Sequence, residues 1–227
     1  SGDFVVTWQG IYQEQSQNDS YPGIFGQRFG ADGTAKGDEF QVNTYTYQQQ
    51  QEPSVAALDN GGFVVTWDSY YQDSSNTWGI YGKMYDAEGE AESYEFRVNT
   101  TTSNNQYQQS VTDLDGGGFV VTWHSDSHSK TFAQIFDRDG SPQGGEFEVS
   151  QHSSSYQPEV ARLDGGGFVV TWEDNTTSND GSGYDIQGQV FDQNGNKVGG
   201  EFLANTEITG DQTMHDVTGL TGPDAGL

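Results

Sequence analysis

The heptapeptide "GGFVVTW" at Gly61–Trp67 decides the fold of this chain. The same seven residues return at Gly117–Trp123 and at Gly166–Trp172, and a shortened copy, "GDFVVTW", stands at Gly2–Trp8. Internal repetition at intervals of about 50 residues is typical of architectures that use one structural unit several times. The four copies therefore predict four equivalent units.

Each unit contains four short segments of strand character, separated by Gly, Asn, Asp and Ser. In the second unit these begin at Pro53, Gly62, Gly79 and Tyr94. The first unit lacks the first segment, whereas an orphan copy, "HDVTGL", stands at His215–Leu220. The pattern predicts an all-β, four-bladed β-propeller of four-stranded antiparallel blades. We expect closure by pairing of the C-terminal strand with the N-terminal strands, which removes exposed edges.

This arrangement predicts a single propeller domain over residues 1–227. Its blades would span 1–43 plus 212–220, 51–99, 107–150 and 156–205. An open β-solenoid is the structural alternative, although it gives no reason to divide one repeat between the termini. Residue 1 is not Met and no signal peptide is visible, so we expect a monomeric domain cut from a larger multidomain protein.

The charge of the chain is strongly negative, with 34 acidic against 8 basic side chains and a net charge of −26. Such a surface repels nucleic acid and anionic lipid, and no segment has the apolar length of a membrane span, so neither partner is expected. It attracts divalent cations, of which Ca²⁺ best matches many oxygen ligands, although solubility in a salty medium is the simpler interpretation. The absence of Cys excludes disulfides and thiolate metal sites.

The repeated residues themselves are predicted to be structural. In "GFVVTW" both sets of alternating side chains are mostly apolar, so both faces of the strand should be buried and the Trp residues should pack rather than bind a ligand. A recurring small residue should let an aromatic ring approach the backbone; this column is Gly26, Gly82, Ala133 and Gly188. The Asp-rich turns ending in Gly33, Gly89, Gly140 and Gly195 are predicted as tight turns with left-handed Gly rather than as calcium loops.

Function is predicted on the loops that differ between units. One set of connections is short and nearly identical, whereas the other is long, variable and rich in Tyr, Trp, Asn, Gln, Ser and Asp. This mixture suits sugars or peptides. The aromatic side chains that we expect to stack on a ligand are Tyr70, Tyr71, Trp78 and Tyr184. A role in covering the seam between blades is an equally good interpretation of them.

Acidic residues in two places are candidate Ca²⁺ ligands. The segment "SNDGSGYD" at Ser178–Asp185 has the oxygen density and Gly turns of a cation loop. The residues before Val in the four inner strands, Ser54, Ser110, Glu159 and Asp216, are predicted to meet near the propeller axis around an ion or water. With one acidic residue from the second variable loop, the candidate ligands are Asp73, Asp180, Asp185, Glu159 and Asp216.

The unit "QxxPSVAxLxxGGFVVTW…GIYGxxxDxxGxxxxxEFxVNT" resembles repeats of very large secreted bacterial proteins of the RTX adhesin and hemolysin-type calcium-binding group. The resemblance covers the whole chain. It implies an extracellular or cell-surface location, a calcium-rich setting and a role in adhesion. The RTX nonapeptide "GGxGxDxux" is absent, so its calcium-binding roll does not carry over.

Three function classes follow from these observations. The leading hypothesis is a non-enzymatic extracellular binding module for a glycan or another cell-surface polymer, with Ca²⁺. The second is a structural spacer or protein-docking unit without a small ligand. The third is a glycoside-cleaving enzyme that uses Glu159 and Asp216 as its carboxylate pair. The sequence contains no nucleophile elbow or phosphate loop, and His124 and His128 alone do not make a zinc site.

Overall fold

A computed structural model of the protein describes residues 2–11, 21–73, 76–176, 183–207 and 209–220. Secondary structure within these ranges is entirely β, and no helix there has the length and apolar character needed to cross a membrane. The strands are β1 Phe4–Gly10, β2 Gly23–Phe29, β3 Ala35–Gln41, β4 Gln50–Ala57, β5 Phe63–Tyr70, β6 Trp78–Tyr85, β7 Phe96–Arg97, β8 Gln106–Asp113, β9 Phe119–Ser125, β10 Lys130–Phe136, β11 Phe147–Glu148, β12 Ser155–Arg162, β13 Phe168–Asp174, β14 Asp185–Phe191 and β15 Lys197–Leu203.

The strands form four antiparallel sheets, one for each copy of the repeat. Three sheets have four strands in chain order, namely β4 to β7, β8 to β11 and β12 to β15, and the first sheet has β1, β2 and β3. Neighbouring strands pair through short turns; in the second sheet, for example, Phe63 is in register with Tyr85. The prediction of one strand meander per repeat is therefore confirmed.

The C-terminal segment is the part of the fold that differs from the prediction. In the described part of the chain, residues 211–220 carry no strand, so the expected strand at His215–Leu220 is not formed and the sheets are not closed by hydrogen bonds. The amide of Val217 donates instead to the side chain of Asp216, at 2.8 Å. Such local bonds compete with the backbone pairing that a sheet requires.

The segment nevertheless shares one backbone feature with the inner strands β4, β8 and β12. A residue with positive φ recurs at the equivalent position four times, at Glu52, Gln108, Gln157 and Met214. The amide of Met214 donates to Glu173 at 2.8 Å, just as the amide of Glu52 donates to Gln9 at 3.0 Å. Because Gln9 and Glu173 both follow the repeated Trp, the C-terminal segment lies beside β13 as β4 lies beside β1.

By internal contacts the chain consists of two compact units, residues 1–106 and 107–227, which we call the N-terminal and C-terminal units. The core of the N-terminal unit joins apolar residues in β2 and just after β3 to those of β5 and β6: Ile24, Val42, Phe63, Val65, Trp67, Tyr81 and Tyr85. The C-terminal unit has the corresponding core around Phe168, Val170, Trp172 and Phe191. Each core thus spans two neighbouring sheets of one unit.

Three of the four repeated strands are buried as predicted. The exception is β1, which is an edge strand of a three-stranded sheet and has Phe4 48% and Val6 44% exposed. All residues of β9 and β13 are buried, as are all but the last of β5, and the side chains of Trp67, Trp123 and Trp172 are at most 1% exposed. Burying a Trp side chain removes a large apolar area from water, which stabilises the folded state by several kcal/mol, of order 3. These Trp residues are therefore packing residues, which confirms the sequence interpretation.

The small column also has the predicted role. A Cβ added to Gly26, Gly82 or Gly188 would lie within 2.8 Å of the ring of Phe40, Phe96 or Phe202, respectively. The ring of the fourth strand therefore rests directly on the backbone of the third strand.

The turns after the third strands have the left-handed Gly predicted for them, with φ between 77° and 83° at Gly33, Gly89, Gly140 and Gly195. In all four of them an Asp side chain accepts a hydrogen bond from an amide of the turn: Asp32 from Thr34, Asp86 from Glu90, Asp137 from Ser141 and Asp192 from Asn196. The Asp residues therefore stabilise the turn.

Candidate functional site

Five aromatic side chains of the N-terminal unit form a continuous row, which we call the aromatic strip. The strip runs in the order Tyr45, Tyr47, Tyr71, Tyr70, Trp78. Successive ring centroids are 6.4, 6.1, 6.2 and 5.1 Å apart. Three predicted stacking residues, Tyr70, Tyr71 and Trp78, are thus brought together.

The strip is accessible near its middle. Tyr47 is 54% exposed and Tyr71 is 38% exposed, whereas Tyr45, Tyr70 and Trp78 are only partly exposed. Partly buried neighbours hold the exposed rings in place and limit the conformational entropy that ligand binding removes. The strip therefore offers a supported aromatic surface of several rings to solvent.

Backbone hydrogen bonds position the half of the strip that belongs to the second sheet. Tyr70 ends β5, Trp78 begins β6, and the two residues are in register. Tyr71 has a φ of +69°, and its amide donates to the carbonyl oxygen of Thr77 at 3.0 Å. A positive φ at a tyrosine is strained, and residues held in such conformations cluster at functional sites.

The other half of the strip, Tyr45 and Tyr47, lies in the loop between β3 and β4. Glu95 holds this loop in place. The carboxylate of Glu95 accepts hydrogen bonds from the amides of Thr44 and Tyr45, and from the side chain of Gln72 at 2.8 Å. The hydroxyl of Tyr45 then donates to the carbonyl oxygen of Tyr71 at 3.3 Å. Burial raises the pKa of Tyr45, and nearby Tyr47, Tyr71 and Asp73 raise it further, so this hydroxyl stays protonated.

A buried Asn–Gln contact closes the same loop. Asn43 is 2% exposed and Gln50 is 0% exposed, and the amide nitrogen of Asn43 donates to Gln50 at 3.1 Å. The oxygen of Asn43 accepts from the amide of Ile24 at 2.7 Å. The same pair recurs in the C-terminal unit as Asn205 and Gln212, at 3.2 Å.

Several of these positions were not predicted from the sequence. Tyr45 and Tyr47 lie in a loop that was predicted to be variable and functional, but neither was chosen. The seven-residue spacing from Asn43 to Gln50 and from Asn205 to Gln212 was a usable signal. The anchoring role of Glu95 depends on a contact with Thr44, 51 residues away along the chain, which no local pattern indicates.

Tyr184, the fourth predicted stacking residue, belongs to a different aromatic group in the C-terminal unit. Its ring lies 6.0 Å from that of Tyr156, which stacks on His124 at 4.7 Å. His124 is 1% exposed; one ring nitrogen is 2.6 Å from the carbonyl oxygen of Ser155 and the other is 3.3 Å from Asp126. Burial lowers the pKa of His124, although its two oxygen partners oppose that shift.

The predicted calcium ligands do not gather at one place. Among the described residues, no three His, Asp or Glu side chains are grouped to hold a metal ion. Asp73 follows β5 near the aromatic strip and influences the pKa of Tyr45, whereas Asp185 begins β14 in the C-terminal unit. Asp180 lies outside the described residues.

Two candidates from the inner strands do lie together, in the C-terminal unit. The hydroxyl of Ser110 on β8 donates to Glu159 on β12 at 2.8 Å. Burial raises the pKa of Glu159, the hydrogen bond from Ser110 lowers it, and the negative charge of Asp216 raises it. A buried carboxyl group with a raised pKa can hold a proton that an exposed one would lose.

Comparison with known proteins finds similarity only at the level of structure, since no protein-family model and no curated protein sequence matches the chain. The NanB sialidase of Streptococcus pneumoniae aligns over 90% of this chain and 50% of its own, with 8% identity and a TM-score of 0.61. The α-L-arabinanase of Penicillium chrysogenum, complexed with arabinobiose, aligns over 76% of this chain and 50% of its own, with 17% identity and a TM-score of 0.50.

A GH43 β-1,3-galactosidase aligns over 90% of this chain and 43% of its own, with 11% identity and a TM-score of 0.55. The chain therefore spans half or less of the length of these three enzymes. At such low identity the similarity shows the fold alone, which is an all-β, four-bladed β-propeller.

Proposed function

We propose that this protein is a non-enzymatic carbohydrate-binding module whose aromatic strip stacks on the sugar rings of a glycan. The observation that carries the proposal is the continuous row of Tyr45, Tyr47, Tyr71, Tyr70 and Trp78, with Tyr47 and Tyr71 exposed. A flat aromatic face accommodates the apolar C–H face of a sugar, and several rings in sequence suit a polymer of sugars rather than a single unit.

Polar side chains next to the strip suit the hydroxyl groups of a sugar. Gln72 and Glu95 lie behind the Tyr45 end, and Asn76 accepts a hydrogen bond from the hydroxyl of Tyr70 at 2.8 Å. Amide and carboxylate groups form directional hydrogen bonds with the hydroxyl groups of a sugar, whereas aromatic stacking contacts only the face of its ring. The combination of aromatic area and polar groups is also how adaptable binding loops recognise polar ligands.

The comparisons support a carbohydrate-related role, because all three enzymes described above act on glycans according to their names. A fold by itself does not establish a function, so the weight of the proposal lies on the aromatic strip. Adhesion at an extracellular surface, with Ca²⁺ as a companion ion, belongs to the same proposal. The net charge of −26 supports the cation.

A glycan array, followed by calorimetry on the best ligand, tests this function. We expect binding by the wild type and a loss of about tenfold or more in affinity for Tyr47→Ala and Tyr71→Ala. Tyr94→Ala is the matched control, because Tyr94 is 96% exposed in the same unit but lies outside the strip. The proposal is contradicted if both strip variants bind the glycan with wild-type affinity, or if the wild type binds no glycan on the array.

A glycoside-cleaving enzyme is the second candidate, favoured by one observation. Burial and the charge of a second acid, Asp216, raise the pKa of Glu159. A general acid needs a raised pKa, and glycoside cleavage commonly uses two carboxyl groups. Incubation of the protein with polymers that bind on the array, with measurement of released reducing sugar, separates the two functions. Release that disappears in Glu159→Gln assigns catalysis, and binding without release supports the non-enzymatic module.

A further inference from the structure

Two buried aspartates face each other at the end of the last sheet. Asp174 ends β13, Asp185 begins β14, and the two are in register across the antiparallel pair. Their side chains are 2% and 1% exposed, respectively. Because residues directly opposite each other in a sheet project to the same side, this Asp174–Asp185 pair places two carboxyl groups together away from water.

The pair is only partly satisfied by the protein. One oxygen of Asp174 accepts hydrogen bonds from the amide and hydroxyl of Thr176, at 2.7 and 2.8 Å. One oxygen of Asp185 accepts from the side chain of Asn205 at 2.8 Å, but its second oxygen, Oδ2, is buried without a hydrogen-bond partner among the residues that the structure describes. A carboxylate oxygen that is buried without a partner destabilises the folded state, so such an atom indicates a missing partner.

No basic side chain supplies that partner. The C-terminal unit has four Lys and Arg residues, and each has its partner elsewhere. Lys130 pairs with Glu148, Arg138 with Asp139, Arg162 with Asp113 and Asp115, and Lys197 with the carbonyl oxygen of Val149.

The fold does not require the acidic pair, because the other three sheets form without it. The equivalent register pairs are Gly10 with Gly23, Ser69 with Gly79 and Ser125 with Lys130. The two carboxyl groups are therefore particular to one sheet, as expected of a binding site and not of a scaffold position.

From these observations we infer that the Asp174–Asp185 pair binds one divalent cation of the Ca²⁺ class, with Oδ2 of Asp185 as a direct ligand. Hard divalent cations prefer carboxylate oxygens, and water or backbone carbonyls can complete a coordination shell of six to eight oxygens. Asn205 orients Asp185 from behind, as partners of metal-binding carboxylates do. The inference rests on the calcium part of the proposed function, and it adds a site on β13 and β14.

Titration of the chelator-treated full chain with Ca²⁺, in the absence of any glycan, tests the site. We expect heat of binding, a higher melting temperature with Ca²⁺, and Tb³⁺ luminescence excited through the nearby Trp172 and Tyr184. Asp185→Asn should reduce the affinity by about tenfold or more. Asp164→Asn, which removes an exposed acid of the same sheet, should bind as the wild type does.

The inference is overturned if the wild type binds no Ca²⁺, or if Asp185→Asn binds it as well as the Asp164→Asn control. Asp174→Asn serves as the second variant should Asp185→Asn fail to fold. Since no glycan is present, failure here is distinguishable from failure of carbohydrate binding.

Discussion

The carboxylate of Glu95 accepts a hydrogen bond from the backbone amide of Tyr45, 50 residues earlier in the chain. The contact joins the end of the second sheet to the loop that carries Tyr45 and Tyr47, and so connects the two halves of the aromatic strip. Glu201 makes the equivalent contact in the C-terminal unit, where it accepts from the amide of Gln151 at 2.6 Å. Glu95 and Glu201 therefore each hold the loop that enters the sheet to which they belong.

Removal of the Glu95 side chain should release the Tyr45 loop. We expect Glu95→Ala to lower the free energy of unfolding by about 1–2 kcal/mol, because two loop amides lose their acceptor. Glycan affinity should fall by about tenfold, since two rings of the strip are no longer held. Glu201→Ala is the control, with a similar loss of stability and unchanged glycan affinity. Full glycan affinity in folded Glu95→Ala contradicts the anchoring role.

Gly188 should not tolerate a side chain. An added Cβ would lie 2.5 Å from the ring of Phe202, so Gly188→Ala must displace that ring and should destabilise the protein by about 1–3 kcal/mol. Gly200→Ala lies on the neighbouring strand β15 with no atom within 4 Å of the added carbon, and it should leave stability almost unchanged. Urea unfolding of both variants measures the difference, and equal midpoints would refute the packing argument.

The effect of Glu159 on stability should depend on pH. Its folded-state pKa is raised, mainly by burial, so the folded state binds the proton more tightly than the unfolded chain does. Stability is therefore lost as pH rises from the ordinary value of 4.5 through the raised pKa. We expect Glu159→Gln to raise the melting temperature at about pH 7 and to leave it unchanged near pH 3.5.

Asp164→Asn controls for the Glu159 experiment, because it removes the same charge from an exposed position and reports only the general relief of negative charge. An equal gain in both variants at neutral pH rules out a specific penalty at Glu159.

Asn99→Ser should destabilise the protein less than Asn99→Ala. Asn99 is 1% exposed; its oxygen accepts from the amide of Ile80 at 2.8 Å and its nitrogen donates to the carbonyl oxygen of Thr101 at 2.7 Å. Asn99→Ala leaves both backbone groups without these partners and should cost about 2–4 kcal/mol. Ser150 fills the equivalent position in the third sheet and accepts from Thr131, so Asn99→Ser should recover part of the loss.

Thermal unfolding of the Asn99→Ala and Asn99→Ser variants gives the ranking. If both variants are destabilised equally, the hydrogen bonds of the Asn99 side chain do not stabilise the loop after β7.

The sequence alone determined the repeated part of the protein. The number of sheets, their strand order, the buried Trp residues and the left-handed Gly turns all follow from local patterns that occur in every unit, so each copy supports the interpretation of the others. The seven-residue Asn–Gln spacing belongs to the same class, although its meaning became clear only when Asn43 was seen to contact Gln50. Predicted closure by a C-terminal strand depended on counting segments, but residues 211–220 form no strand, and the amide of Val217 donates to the side chain of its neighbour Asp216.

Only the tertiary structure decided which variable residues meet. Tyr45 contacts Tyr71, 26 residues further along the chain, while Tyr184 belongs to another group although its loop looked equivalent. Asp174 and Asp185 come together because two strands pair in register, and a shift of one residue would have turned one carboxyl group to the other side of the sheet. Loops that do not repeat carry no internal pattern, so their positions depend on long-range hydrogen bonds such as the one between Glu95 and Tyr45.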